Sequence, residues 1–66
     1  MIEIYVYGIE LESEPGFTEI MIETTKEKLD SLNDEFEMKK FIEEKIASYL
    51  NVEKNSIIKY NWEVEQ

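Results

Sequence analysis

The aliphatic side chains of the first twelve residues alternate with glutamate and tyrosine, and the alternation changes phase once, at Gly8. Alternation of β-branched and aromatic residues predicts a half-buried β-strand. A change of phase at a glycine predicts a β-bulge, because one inserted residue returns the later aliphatic side chains to the earlier face. That shared face is expected to hold Ile2, Ile4, Val6, Ile9 and Leu11.

A second register for this strand omits the bulge. It buries the side chains of Tyr5, Tyr7, Ile9 and Leu11 and exposes those of Ile2, Ile4 and Val6. Each register leaves an apolar patch at the start of the strand. Such a patch predicts self-association into a homodimer, or else contact with a foreign partner.

A turn and a second strand follow. Residues 14–17 place proline at the second position and glycine at the third, as a type II turn requires. Residues 17–23 alternate again and predict a strand, so that residues 1–24 form an acidic β-hairpin. The expected cross-strand neighbours are Ile20 with Leu11 and Ile22 with Ile9.

The middle of the chain has helical periodicity. A Thr-x-x-Glu capping box occupies residues 24–27 and starts at Thr24. It predicts a short helical turn over residues 25–33. Asn33 offers a second cap, and residues 34–50 repeat apolar side chains every three or four positions, which predicts an amphipathic helix. Its apolar stripe is Met38, Phe41, Ile42, Ile46, Tyr49 and Leu50. Asn51 suits the left-handed position that ends such a helix.

Residues 56–64 alternate once more and predict a third strand. Its buried face is expected to hold Ile58, Tyr60, Trp62 and Val64. The order β-β-α-β predicts a single α+β domain over residues 1–66, with the long helix packed on one face of a three-stranded sheet. Two positions are open for the third strand: beside the first, where it could run parallel after the helical crossover, or at the other edge. The first is favoured, because the aliphatic positions of strand one suit a central strand.

The composition limits the kinds of catalytic and metal-binding site that the chain can form. All seven basic residues are lysine, and the sequence contains no Arg, His or Cys. It therefore lacks the bidentate guanidinium, the base that titrates near neutral pH, the thiolate nucleophile and the soft ligands of zinc sites. We expect no enzymatic activity, no cofactor and no metal. The net charge of −9 repels nucleic acid and anionic membranes, so direct binding to either is not expected.

Apolar runs in the chain are short. The longest are three or four residues, and Met1 leads directly into an amphipathic strand. Neither a signal peptide nor a transmembrane span is therefore predicted. The expected location is the cytoplasm, or the host cytoplasm for a phage-encoded chain.

Two thirds of the net charge fall on the hairpin, because residues 1–24 contain six glutamates and no base. Carboxylates two residues apart on a strand lie about 7 Å from one another, similar in order to the spacing of neighbouring phosphates. The residues predicted to contact a partner are Glu10, Glu12, Glu14, Glu19, Glu23, Tyr5, Tyr7 and Phe17. The alternative is a solvated face whose acids maintain solubility. An expected like-charge pair, Glu12 opposite Glu19, favours the binding face.

These patterns predict a small acidic binding protein whose partner is a basic surface of another protein. Its most concrete form is a nucleic-acid mimic encoded by a phage or mobile element. Such a mimic inhibits a nucleic-acid-binding enzyme, for example a CRISPR effector or a restriction system. The alternative is a homo-oligomeric structural or assembly protein, or an interaction adaptor in a host pathway, in which the charge only maintains solubility.

Overall fold

Three strands and two helices follow one another in the order that the sequence periodicities predict. The computed structural model describes residues 1–65. Its elements are β1 (Ile2–Leu11), β2 (Glu14–Thr24), α1 (Lys26–Ser31), α2 (Glu35–Leu50), a 3₁₀ turn (Lys54–Ser56) and β3 (Ile57–Glu65). The α+β class is confirmed, with a three-stranded sheet and one long helix on it. In the described residues, no helix has both the length and the apolar character needed to cross a membrane.

The third strand lies beside the first, so the strand order is β2-β1-β3 and β1 is central. The favoured position is confirmed, but the parallel orientation is wrong, because β3 pairs with β1 in the antiparallel direction. The 16 residues of α2 extend about 24 Å and return the chain to the hairpin turn. There the Glu12 N–H donates to the Ser56 carbonyl over 2.7 Å. β3 therefore starts at the turn end of β1 and runs the opposite way.

Gly8 forms the predicted bulge. The pairing of β1 with β2 shifts register between Val6 and Ile9, and the pairing with β3 shifts at the same place. Gly8 has a φ of +61°, a left-handed conformation that glycine adopts without a steric clash of Cβ. Ile4, Val6, Ile9 and Leu11 are all buried, so the register without a bulge is wrong.

The hairpin turn lies earlier than predicted. Leu11 pairs with Glu14, which leaves residues 12–13 as the turn. The Pro-Gly pair at 15–16 lies inside β2, and Gly16 has a φ of +90°. The glycine thus adopts the left-handed backbone that a type II turn needs, but it produces an irregularity in β2. The chain does not reverse there, because strand pairing continues past this point to Leu11.

The earlier turn changes the cross-strand neighbours of β2. The observed pairs are Ile20 with Val6 and Ile22 with Ile4, in place of the predicted pairs with Leu11 and Ile9. Thr18 lies opposite Ile9 instead. Ile22 is fully buried and Ile20 packs against the core, so both still face the helix side of the sheet.

The core lies between α2 and the inner face of the sheet. Its buried residues are Ile4, Val6, Ile9, Leu11, Ile22, Ile42 and Ile46. From the predicted helical stripe, Met38, Phe41 and Leu50 pack against this core, whereas Tyr49 is 52% exposed. Tyr49 is therefore wrongly assigned to the stripe.

The inner face of β3 is less buried than predicted. Tyr60 and Trp62 pack against the core, but Ile58 and Val64 are 58% and 41% exposed. β3 is an edge strand and has a neighbouring strand on one side only. Val64 lies at the open end of this strand. Near the other end the pairing with β1 shifts register, so that Ile57 lies opposite Leu11 and packs against the core. The assignment of Ile58 to the buried face is therefore wrong by one residue.

Side chains cap α2 at its first turn. Asp34 Oδ1 accepts from the Glu37 N–H over 2.9 Å, and Glu37 Oε2 accepts from the Asn33 N–H over 3.0 Å. The cap is thus Asp34, and the prediction of Asn33 is wrong by one residue, because Asn33 contributes its N–H and not its side chain. At the other end Asn51, with a φ of +55°, takes the predicted left-handed position.

The short helix α1 begins one residue later than its capping box predicts. The Thr25 hydroxyl accepts from the Lys28 N–H over 3.1 Å. Thr24 is the last residue of β2 and is buried there, so it is not available as a cap. The capping chemistry is that of a threonine N-cap, shifted by one position.

Tyr60 links β3 to α2 by a hydrogen bond. Its hydroxyl donates to Glu43 Oε2 over 2.7 Å. Partial burial, followed by this contact with a carboxylate, raises the pKa of Tyr60 well above its ordinary value. The bond depends on a protonated phenol, which makes it sensitive to alkaline pH.

Replacing Tyr60 with phenylalanine is expected to lower the free energy of unfolding by about 1 kcal/mol near neutral pH, since the bonded hydroxyl is partly solvent-screened. Because the pKa is higher in the folded state, this contribution is complete below the unfolded value of about 10 and is lost as pH rises through the folded value. Urea unfolding between about pH 7 and pH 11 measures both effects. The exposed Tyr49→Phe is the control. An unchanged alkaline slope in Tyr60→Phe contradicts the assignment.

Candidate functional site

The sheet has one face covered by α2 and one face uncovered. We call the uncovered side the outer face. Along each strand, the side chains of the outer face alternate with those that point into the core. The strand pairings identify which residues belong to the outer face. These residues are Glu3, Tyr5, Tyr7 and Glu10 on β1, Phe17, Glu19, Met21 and Glu23 on β2, and Lys59, Asn61, Glu63 and Glu65 on β3. Six glutamates and one lysine give this face a net charge of −5.

The outer face has an aromatic centre between two acidic edges. On the central strand, the rings of Tyr5 and Tyr7 stack with their centroids 5.1 Å apart and their planes inclined by 22°. The acidic side chains of the two edge strands, called here the edge carboxylates, are Glu19, Glu23, Glu63 and Glu65. Two strand spacings separate the two edges, a distance of about 10 Å.

Hydrogen bonds join the tyrosines to the edge carboxylates. The Tyr5 hydroxyl donates to Glu19 on β2, and the Tyr7 hydroxyl donates to Glu63 on β3 over 3.4 Å. The bond to Glu19 raises the pKa of Tyr5, so this phenol stays protonated. A carboxylate has about four acceptor sites, so each keeps sites free for a partner while one bond orients it.

Three carboxylates lie side by side at one end of the outer face. Glu3 is directly opposite Glu23 on one side and Glu65 on the other. Like charges in directly opposed positions destabilise a sheet. Within residues 1–65, no such group of acidic side chains has an arrangement that could hold a metal ion. Among residues 1–65, none of these three carboxylates forms an ion pair with a lysine.

Replacing Glu3 with lysine is expected to raise the free energy of unfolding by about 1 kcal/mol, because it converts two repulsive cross-strand pairs into attractive ones. Glu12→Lys in the hairpin turn changes the net charge equally and serves as the control. Urea unfolding at low and high salt measures the difference, which should shrink as salt screens the charges. Equal gains from the two substitutions would show that total charge, rather than the row, determines stability.

The structure brings together most of the predicted contact residues. Those on the outer face are Tyr5, Tyr7, Glu10, Phe17, Glu19 and Glu23. Glu12 and Glu14 do not join them: Glu12 lies in the hairpin turn, and Glu14 lies opposite Leu11 at the start of β2. The predicted pair of Glu12 with Glu19 is accordingly wrong, because the turn comes before Glu14. The like-charge contacts occur at Glu3 instead.

The third strand supplies functional candidates that were not predicted. Glu63 accepts from the Tyr7 hydroxyl, and Glu65 completes the row with Glu3. Lys59 lies opposite Glu10 and is the base on the outer face. In the sequence, all three occupy odd-numbered positions of β3, whereas the inner-face residues Tyr60 and Trp62 occupy even-numbered ones. This alternation was the pattern that could have identified them. They could be placed beside β1 only once the direction of β3 was known.

The outer face thus combines a stacked tyrosine pair, four edge carboxylates and a net negative charge on a sheet surface that α2 leaves uncovered. Phe17 and Met21, exposed by 71% and 41%, add apolar surface on the β2 side. No protein-family model, no curated protein and no solved structure matches the chain that carries it.

Proposed function

We propose that this chain is a small acidic, non-catalytic binding protein that uses the outer face to occupy a basic surface of another protein. The observation that carries the proposal is the directly opposed row of Glu23, Glu3 and Glu65 within a face of net charge −5. Local rules of stability are broken mainly where function requires it. Glutamates that serve only solubility do not need to lie directly opposite one another on neighbouring strands. A basic partner surface would offset the repulsion between such opposed glutamates.

The spacing of the edge carboxylates supports a more specific proposal, that the outer face takes the place of nucleic acid. The two acidic edges are about 10 Å apart, close to the width of about 12 Å of the DNA major groove. Between them, Tyr5 and Tyr7 present aromatic rings, as bases do in a nucleic acid. The partner is then a nucleic-acid-handling enzyme, and the chain is its inhibitor, of the anti-CRISPR or anti-restriction kind that phages and mobile elements encode.

The chemistry of the outer face supports binding rather than catalysis. Its titratable groups are carboxylates, two tyrosines and one lysine. The Tyr5 phenol, whose pKa is raised by Glu19, does not serve as a base near neutral pH. Two copies facing each other through this surface would bring together two net charges of −5, which disfavours that form of homodimer.

Affinity capture tests the proposal. The chain is immobilised, a host-cell lysate is applied in about 0.05 M NaCl, and bound protein is released either by about 0.5 M NaCl or by duplex DNA or RNA. The expected result is a basic, nucleic-acid-binding protein that both treatments release. A protein that stays bound at high salt argues against a charge-mediated face. One released by salt but not by duplex argues against nucleic-acid mimicry.

A further inference from the structure

The outer face is about as wide as one α-helix. Its outer two strands lie about 10 Å apart, and a helix with its side chains measures about 10 to 12 Å across. The inner face of the same sheet already receives one helix, α2, through Ile42 and Ile46. The uncovered face therefore has the dimensions to receive a second helix.

The side chains of the outer face are sorted by strand in the way that such a helix requires. Tyr5 and Tyr7 run along the centre, and the edge carboxylates run along both sides. Met21, opposite Tyr5, widens the apolar strip toward β2. A helix aligned with β1 can place an apolar stripe on the tyrosines and extend lysine or arginine side chains to both edges.

The spacing of side chains along a strand is also close to their spacing along a helix. Alternate residues on a strand lie about 7 Å apart, and residues i and i+4 of a helix lie about 6 Å apart along its axis. Basic side chains on successive turns of a helix can therefore meet Glu63 and Glu65 on the β3 edge. On the β2 edge Glu19 and Glu23 are separated by Met21 and lie about 14 Å apart, which side chains about two turns apart can meet.

We propose, resting on the function proposed above, that the element recognised by the outer face is a basic amphipathic α-helix of the partner protein. The helix lies along β1, with its apolar stripe on Tyr5 and Tyr7 and its basic flanks against the edge carboxylates. α-Helices are also the elements with which many proteins enter the DNA major groove. The proposal thus names the part of the partner that the chain covers.

Two peptide probes test the proposal with the intact chain. The first is an amphipathic peptide of about 18 residues of alanine, leucine, lysine and arginine, with leucine at helical spacing and basic residues on both flanks. The second is identical except that two interior alanines are replaced by proline, which prevents the helix but keeps the charge. Calorimetric titration gives the affinities, and circular dichroism reports whether the peptide becomes more helical on binding.

We expect the helical peptide to bind at least about tenfold more tightly than the proline peptide and to gain helicity. The double variant Glu19→Gln/Glu63→Gln should reduce its binding, whereas the control Glu27→Gln/Asp30→Asn on α1 should not. Equal binding of both peptides overturns the helix inference but agrees with the proposal that the partner surface is basic. If neither peptide binds while the capture experiment succeeds, the helix inference alone fails; failure of both experiments overturns the proposed function as well.

Discussion

A triple variant with Glu10, Glu19 and Glu63 replaced by glutamine is expected to lose at least about 100-fold in affinity for the captured basic protein. The three residues lie on three different strands of the outer face, and each substitution removes one charge but keeps the shape of the side chain. A close charge pair across an interface contributes about 1.5 kcal/mol or more, and each 1.4 kcal/mol is about tenfold in the dissociation constant. Calorimetry or surface plasmon resonance at low salt measures the loss.

The matched control removes the same number of charges from the helical side of the molecule. Glu27→Gln, Asp30→Asn and Glu35→Gln lie on α1 and at the start of α2, away from the outer face. We expect this control to weaken binding by less than about threefold, through the long-range field alone. If both triple variants weaken binding equally, the total charge of the chain determines binding and the outer face is not the site. Circular dichroism of each variant verifies that it remains folded.

Replacement of Ile46 by alanine is expected to remove a large part of the free energy of unfolding, about 2 to 5 kcal/mol. Ile46 is fully buried between α2 and the sheet, and truncations of buried isoleucine side chains carry a cost of this size. At typical values per residue, a chain of this length has a total stability of only about 3 to 10 kcal/mol. Urea unfolding followed by circular dichroism, with a shift of the midpoint to lower urea, measures the cost.

The control for this prediction is Ile58→Ala, which removes the same atoms from a side chain that is 58% exposed. It should cost less than about 1 kcal/mol, chiefly through lost strand propensity. A similar cost for both substitutions would mean that the core does not lie where Ile46 is placed. Binding by Ile58→Ala should also be unchanged, because Ile58 lines a surface depression with Glu35 and Lys39 of α2 and is not one of the outer-face side chains.

The sequence was most informative where one local pattern determines the structure. The phase change at Gly8 predicted the bulge, because only one register places all the aliphatic side chains of β1 on one face, where Ile4, Val6, Ile9 and Leu11 are buried. The three-to-four repeat predicted α2, and Asn51 predicted its end. Each of these depends on residues close together in the chain.

The hairpin turn could not be predicted in the same way, because a distant residue takes part in it. A Pro-Gly pair indicates where a left-handed glycine occurs, and Gly16 has that conformation. Whether the chain reverses there depends on pairing further along. In this fold the turn lies at residues 12–13, where Glu12 donates to the carbonyl of Ser56. That contact joins segments more than forty residues apart and leaves no local trace in the sequence.

The same dependence on distant contacts limited the prediction of the outer face. The hairpin residues were correctly grouped except at the turn, but the contribution of β3 depends on strand direction. In the antiparallel orientation Glu65 lies beside Glu3, and Lys59 lies beside Glu10 at the other end. A parallel strand would have brought the lysine end toward Glu3 and relieved the repulsion there. The acidic row is therefore a product of topology.

The bulge at Gly8 has a consequence for how this chain can change over time. On the two sides of Gly8, inward-facing side chains occupy positions of opposite parity, Ile4 and Val6 before it and Ile9 and Leu11 after it. If the extra residue were kept but not absorbed by a bulge, the later segment would turn over, placing Glu10 in the core and its aliphatic neighbours on the outer face. Loss of Gly8 itself would instead leave a regular strand in which Ile9 follows Val6 in the same phase. A single glycine keeps the residues that fold the protein apart from those that face a partner.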